Sequence, residues 1–364
     1  MRLGLGQFRD WTPEYLRFAK QFGATDILLN TPSLPNYGGY WPIHDIVKMR
    51  QAVENEGLKL SAIENVPTQF YDHIMLNGPK RDEQVENMIR TVRNIARAGV
   101  PVFGYNWMPS HVWRTPPVPI RGGALATAFD YEVAKKLPLT HDREYTEAEM
   151  WKNLEYWIKI ITPVAEEEGI RLGIHPCDPP VEKLGGIPQL FRNFDAYKRL
   201  ISIVDSPSNA IEFCQGTFSE MNEDIYEMIE YFVLRKRIMY VHFRNVSGQV
   251  PKFYEEFVNT GYVDMHRAMR VYFDYGFDGF FIDDHVPQTY QDTSFGHRGR
   301  AHAMGYISGI MESIAKLEGE QGRAAGWKYR ELEKSGKLPK VAGVGLAARS
   351  RHPATAKTTS ARRK

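Results

Sequence analysis

The feature that most constrains this chain is a rhythm. Short, nearly uninterrupted apolar runs recur along it, with amphipathic helical stretches between them. The runs are residues 3–7, 26–30, 60–65, 100–106, 171–175, 210–214, 238–245 and 279–285. Each is too apolar for a strand with one wet face, and strands covered on both faces of a parallel sheet read this way. The intervening stretches carry helix signals. Thr12, Pro13 and Glu14 form a capped start with proline in the first turn, continued by Leu16, Phe18, Ala19 and Phe22 and stopped at Gly23. Residues 83–98 place Val85, Met88, Val92 and Ile95 at helical spacing before Gly99, and 147–168, 264–275 and 305–317 repeat the pattern.

About eight strand–helix alternations predict an α/β chain with a parallel sheet, either a barrel or a doubly wound sheet. Gly4-Leu5-Gly6 lacks the third glycine of a dinucleotide fingerprint, which favours a single (β/α)8 TIM barrel. The 364 residues then divide into a barrel domain over 1–320, an extension over 321–342 and a tail over 343–364. The tail holds Arg349, Arg351, Lys357, Arg362, Arg363 and Lys364 without an acidic residue and reads as disordered. The long connection from Asn106 to about Glu147, after the fourth strand, is expected to act as a functional loop or lid.

A formal net charge of +2 gives no footprint for nucleic acid or an anionic membrane as partner. Two cysteines, Cys177 and Cys214, are too few for a secreted disulfide framework, and no apolar run is long enough for a signal peptide or a membrane span. The expectation is a cytoplasmic protein.

Four consecutive candidate strands finish in a potential metal ligand: His175, Cys214, His242 and Asp284. In a barrel these ends are neighbours on the catalytic rim. Two imidazoles, a thiolate and a carboxylate suit a divalent transition metal, and the thiolate alone leaves Zn2+ open. Asp283 and Asp284 compete for the carboxylate position, because strand alternation lets only one face inward. His285 follows as an acid/base candidate, since imidazole titrates near neutrality. Arg244 has the planar fork that matches a carboxylate, with a rim salt bridge as the plain alternative. Asn106 and Arg114 stand at or after the fourth strand, and Glu64 ends the third, as candidate contacts for a polar substrate.

Several motifs in this order resemble the mannonate dehydratases, within the wider xylose isomerase-like barrel group. They are Tyr105-Asn106-Trp107-Met108-Pro109, Ala126-Thr127-Ala128-Phe129-Asp130, His175-Pro176-Cys177-Asp178-Pro179-Pro180, Val204-Asp205-Ser206-Pro207-Ser208-Asn209, Phe213-Cys214-Gln215-Gly216, Val241-His242-Phe243-Arg244-Asn245-Val246 and Gly276-Phe277-Asp278-Gly279, with Asp284-His285 just beyond. The resemblance implies Mn2+ or Fe2+ held by His175, Cys214, His242 and Asp284, and His285 as acid/base. It implies conversion of D-mannonate, a sugar acid, to 2-keto-3-deoxy-D-gluconate and water, by a protein that self-associates as a dimer or larger. This chain departs from the family at Cys177, at Val258 and over Gly296-His297-Arg298-Gly299-Arg300, where members use a tyrosine. His297 is therefore the candidate partner to His285. A sugar isomerase or epimerase on the same fold, a dehydratase for another sugar acid, and a catalytically dead barrel are the rival readings.

Overall fold

A computed structural model of the chain describes residues 1–339. Eight parallel strands close into a barrel in sequence order: Arg2–Phe8, Asp26–Asn30, Lys59–Glu64, Val102–Tyr105, Arg171–Ile174, Asn209–Cys214, Ile238–His242 and Phe280–Ile282. They are called here the first to eighth barrel strands. Every neighbouring pair is parallel, and the last closes on the first through Arg2 opposite Phe280. All eight apolar runs become strands. The strands at 100–106, 238–245 and 279–285 are shorter than their runs, because the chain leaves the ladder once its side chains reach the mouth.

Local chemistry sets the helices. Thr146 accepts from the Glu149 backbone while the Glu149 carboxylate accepts from the Thr146 backbone, a reciprocal cap that starts helix Glu147–Glu168. Thr12 caps Pro13–Gln21 in the same manner, without the return bond. The last barrel helix, His297–Glu320, begins well before the expected 305. A Cβ at Gly299 would lie 2.9–3.1 Å from Val286 and the Pro287 carbonyl. Glycine there permits close packing and does not break the helix.

The barrel interior below the mouth is filled by Leu28, Ala62, Val102, Ala210, Met239, Tyr240, Phe280 and Ile282. The larger core lies between strands and helices. At the closed end, Asp26 accepts hydrogen bonds from Arg2 Nε at 3.0 Å, Thr25 Oγ1 at 2.7 Å and Ser61 Oγ at 2.5 Å. Burial alone would raise its carboxyl, but the bonds from Arg2, Ser61 and Thr25 outweigh it and hold it below the usual range. A depressed folded value contributes stability above the unfolded carboxyl pKa, and that contribution disappears as pH falls through the folded value. Asp26→Ala is expected to cost about 1–3 kcal/mol near pH 7. The gap to wild type should narrow as pH falls through the depressed folded value, as read by urea unfolding.

The connection after the fourth strand is more ordered than a loop. Thr115–Pro119 and Leu125–Asp130 pair antiparallel, and Leu125–Asp130 pairs in turn with Lys252–Glu256 from the connection after the seventh strand. Asn245–Val246 completes this four-stranded cap. Phe129, Val181, Leu184, Val246 and Phe253 form its own small core. The described part of the extension carries helix Trp327–Lys334, whose Trp327 Nε1 donates to Asp274 at 2.8 Å. The tail at 343–364 lies outside the described residues. Among the described residues no helix is long and apolar enough to cross a membrane.

Candidate metal and catalytic site

All eight strands deliver a polar side chain near their C-terminal ends: Gln7, Asn30, Glu64, Asn106, His175, Cys214, His242 and Asp284. At Gln7, Thr31, Asn65 and Asp284 the backbone turns into the left-handed region, with φ between 43° and 61°. Such backbone in residues other than glycine concentrates where a side chain must be aimed.

His175, Cys214 and His242 bring ligand-capable atoms within 4.8 Å of one another. Asp284 joins them, its Oδ2 lying 3.6 Å from Cys214 Sγ and 3.5 Å from His242 Nδ1. Asp283 instead pairs with Arg300 Nη1 at 2.9 Å, so the competition between the two aspartates falls to Asp284. His175 Nδ1 lies 2.6 Å from the Pro176 carbonyl, which leaves Nε2 with a lone pair. Among the described residues, the buried His242 Nδ1 has no hydrogen-bond partner. Burial pushes the Cys214 thiol up, but the charge of Arg244 and the neighbouring His175 outweigh it and bring the thiol down to about 6. Burial pushes Cys177 up to about 12. Cys214 is thus biased toward thiolate, the ligand form, and Cys177 is an inert thiol. The orphaned imidazole nitrogen, the thiolate and the adjacent carboxylate fit a divalent cation.

His285 stands beside this cluster with its side chain 41% exposed. Its Nδ1 lies 2.8 and 2.9 Å from the two Glu255 oxygens, and its Nε2 is 3.7 Å from Asp284 Oδ1. Burial would lower the imidazole, but Asp284 and Glu255 raise it to about 9. A cation against Asp284 would push it back down.

Arg114 and Arg244 do not offer free forks to a substrate. Arg114 donates to both Asp178 oxygens at 2.7 Å and to Glu255 at 2.8 Å. Arg244 donates to Asp284 and Thr217 at 2.8 Å, to Glu220 at 3.1 Å and to Asp178 at 3.2 Å. Gly216 makes room, since a Cβ there would sit 2.4 Å from Arg244 Nη1. Both arginines neutralise buried carboxylates and fix Glu255 and Asp284, which is the plainer alternative weighed for Arg244.

Glu64 accepts from Gln7 at 2.7 Å and lies 3.0 Å from His242 Nε2. Asn30, Asn65 and Asn106 continue an amide chain from Gln7 along the rim. Asn106 Oδ1 is buried and has no partner among the described residues. A cavity of about 80 Å³ is lined by these amides and by Glu64, Val112, His175, Asp178, Asp284 and His285.

His297 is not brought to this cavity. Gly296 opens the last barrel helix, and that start turns His297 against Phe18 and Phe295, with Thr293 Oγ1 at 2.6 Å and Glu14 at 3.6 Å. Glu212 and Glu255 escaped the sequence reading. Glu212 had a signal, as a lone charge inside an apolar strand two residues before Cys214. Glu255 had none, because it reaches the site only through the cap.

The D-mannonate dehydratase family model matches this chain over residues 8–142 and 132–321. A mannonate dehydratase of Streptococcus uberis is 32% identical over 311 residues, covering 77% of this chain and 88% of the relative. The crystal structure of mannonate dehydratase from Streptococcus suis superposes with a TM-score of 0.79 at 28% identity, covering 97% of this chain and 99% of that one. An L-ribulose 3-epimerase structure, at 13% identity and a TM-score of 0.59 over 89% of this chain and 98% of that one, shares the fold.

Proposed function

This chain belongs to the D-mannonate dehydratase family, and from that premise we propose that it removes water from D-mannonate to give 2-keto-3-deoxy-D-gluconate. His175, Cys214, His242 and Asp284 hold one divalent cation in this reading, Mn2+ or Fe2+ in preference to Zn2+. The observation that carries it is the convergence of these four side chains beside His285.

The C2 proton of a hexonate is weakly acidic because its loss puts a second negative charge next to the carboxylate. The bound cation supplies a Lewis acid that spreads this charge. The chain's own residues do the rest. Glu255 orients His285 through Nδ1 and leaves Nε2 for proton transfer. Asp178 is tied to Arg114, while Glu64 and Asp284 face His242. His285 is the cavity residue with a ring nitrogen free at the mouth. We assign both transfers to it: Nε2 takes the C2 proton, then gives it to the C3 hydroxyl as the C3–O bond breaks and water leaves. The resulting enol becomes the keto acid by losing its hydroxyl proton and gaining one at C3. The Gln7–Asn30–Asn65–Asn106 amides face the remaining hydroxyls, with the Asn106 oxygen as a ready acceptor.

The test is a panel of hexonates and pentonates offered to chelator-stripped protein reloaded with Mn2+ or Fe2+. A 2-keto-3-deoxy acid, detected by its carbonyl chemistry, should form from D-mannonate with the metal and not without it. A product of unchanged formula would transfer the site to an isomerase or epimerase. No turnover on any acid would leave a binding barrel. Cytoplasmic location and assembly into a dimer or larger belong to the same reading, the latter measured by light scattering.

A further inference from the structure

Beneath the four proposed ligands lies a second set of buried groups that the reaction above does not use. Glu212 is fully buried in the sixth strand, and neither of its carboxylate oxygens has a hydrogen-bond partner among the described residues. Its Oε1 lies 3.2 Å from His242 Nε2, and Glu64 Oε2 lies 3.0 Å from the same nitrogen. The Tyr240 hydroxyl donates to Glu64 at 3.3 Å, and the Tyr240 ring stacks with His242 at 5.6 Å between centroids. The space is kept open by glycine: a Cβ at Gly104 would stand 1.9 Å from the Tyr240 hydroxyl and 2.6 Å from Glu212 Oε2. A carboxylate buried this deeply without hydrogen bonds costs stability, so its retention calls for a return elsewhere.

The imidazole of His242 supplies that return. A neutral ring carries one proton on one of two nitrogens, and the nitrogen without it is the ligand. The carboxyl groups of Glu64 and Glu212 crowd Nε2, with the Gln7 amide nitrogen farther off at 3.4 Å, whereas Nδ1 lies 3.5 Å from Asp284 Oδ2, itself 3.6 Å from Cys214 Sγ, and has no hydrogen-bond partner among the described residues. We infer that Glu212 and Glu64 are positioning residues that keep the His242 proton on Nε2 and thereby turn the Nδ1 lone pair onto the cation. The pair also makes Nδ1 a stronger donor, as carboxylate partners of metal-bound histidines do. This inference rests on the metal reading above.

The experiment measures Mn2+ affinity by calorimetry on folded protein, checked by circular dichroism, for wild type, Glu212→Leu, Glu212→Gln and Glu64→Leu/Glu212→Leu. Since Glu64 alone still accepts the Nε2 proton, Glu212→Leu is expected to weaken Mn2+ binding by about 10-fold and the double variant by about 100-fold. Glu212→Gln keeps an acceptor oxygen and should stay within about 5-fold of wild type. In the zinc-loaded wild type, ¹⁵N NMR should show His242 protonated at Nε2 and bound through Nδ1. Equal Mn2+ affinity in all four proteins overturns the inference, as does a zinc-loaded His242 protonated at Nδ1. Two ions per wild-type chain falling to one in Glu212→Leu overturns it too, because the carboxylates would then be ligands. A wild type that binds no divalent ion sinks the metal reading itself and this inference with it.

Discussion

His285→Asn is expected to lower kcat for D-mannonate dehydration by about 10²–10⁴-fold, with bound metal and KM little changed. The range follows from the position of His285. Its Nδ1 is committed to Glu255, so Nε2 is the one nitrogen left for proton transfer at the mouth. Asparagine preserves a polar contact to Glu255 but titrates nowhere near neutrality. The fold should tolerate the change, since Glu255 keeps Arg114 at 2.8 Å and Arg244 at 3.8 Å as counter-charges. Steady-state kinetics on metal-loaded protein, alongside metal analysis, read the result. Near-wild-type turnover would remove His285 from the chemistry. A matching loss of metal would make it a prop for Asp284 instead.

Cys214→Ser should reduce turnover by about 10³-fold or more, because a Lewis acid contributes several kcal/mol to a transition state of this kind. A thiol brought down to about 6 is largely thiolate at neutral pH, and a serine hydroxyl is not ionised there. The remaining imidazoles and carboxylate still attract hard divalent ions. Retention of zinc should therefore fall more than retention of manganese. Dialysis followed by metal analysis separates the two. Unchanged metal content with unchanged activity would show that the thiol is a buried apolar group and that the cation, if held, is held elsewhere.

The barrel was legible because parallel strands buried on both faces leave a mark that needs no partner information. The run at 26–30 became a strand with the same bounds, and helix Glu147–Glu168 matched its capped, periodic stretch. Strand order made the convergence of His175, Cys214 and His242 foreseeable, since consecutive barrel strands are neighbours. The cap was not legible. Lys252–Glu256 is a strand because Leu125–Asp130 pairs with it from more than a hundred residues away, with the short Asn245–Val246 strand on its other edge. For that reason Glu255 could not be placed beside His285, and the partners of the two arginines, Asp178, Glu220 and Glu255, could not be named, although a rim salt bridge was one of the two readings of Arg244. His297 was put forward because it stands where the family's tyrosine is missing, but the helix that starts at this stretch turns it toward Phe18 and Phe295.

The cap strand that carries Glu255 has a bearing on how such a protein can change. The four proposed ligands sit at the ends of barrel strands, whereas Glu255, the carboxylate beside His285, is carried by a separate small sheet with its own apolar interior. Substitutions that loosen Phe129 against Phe253, whose rings lie 5.8 Å apart, would reach His285 directly through Glu255 and the proposed ligand Asp284 through Arg244, which bridges Glu255 and Asp284. In the proposed reading, reactivity and ion affinity sit on different pieces of backbone but meet at that guanidinium, so drift in the cap reaches the barrel rim through it.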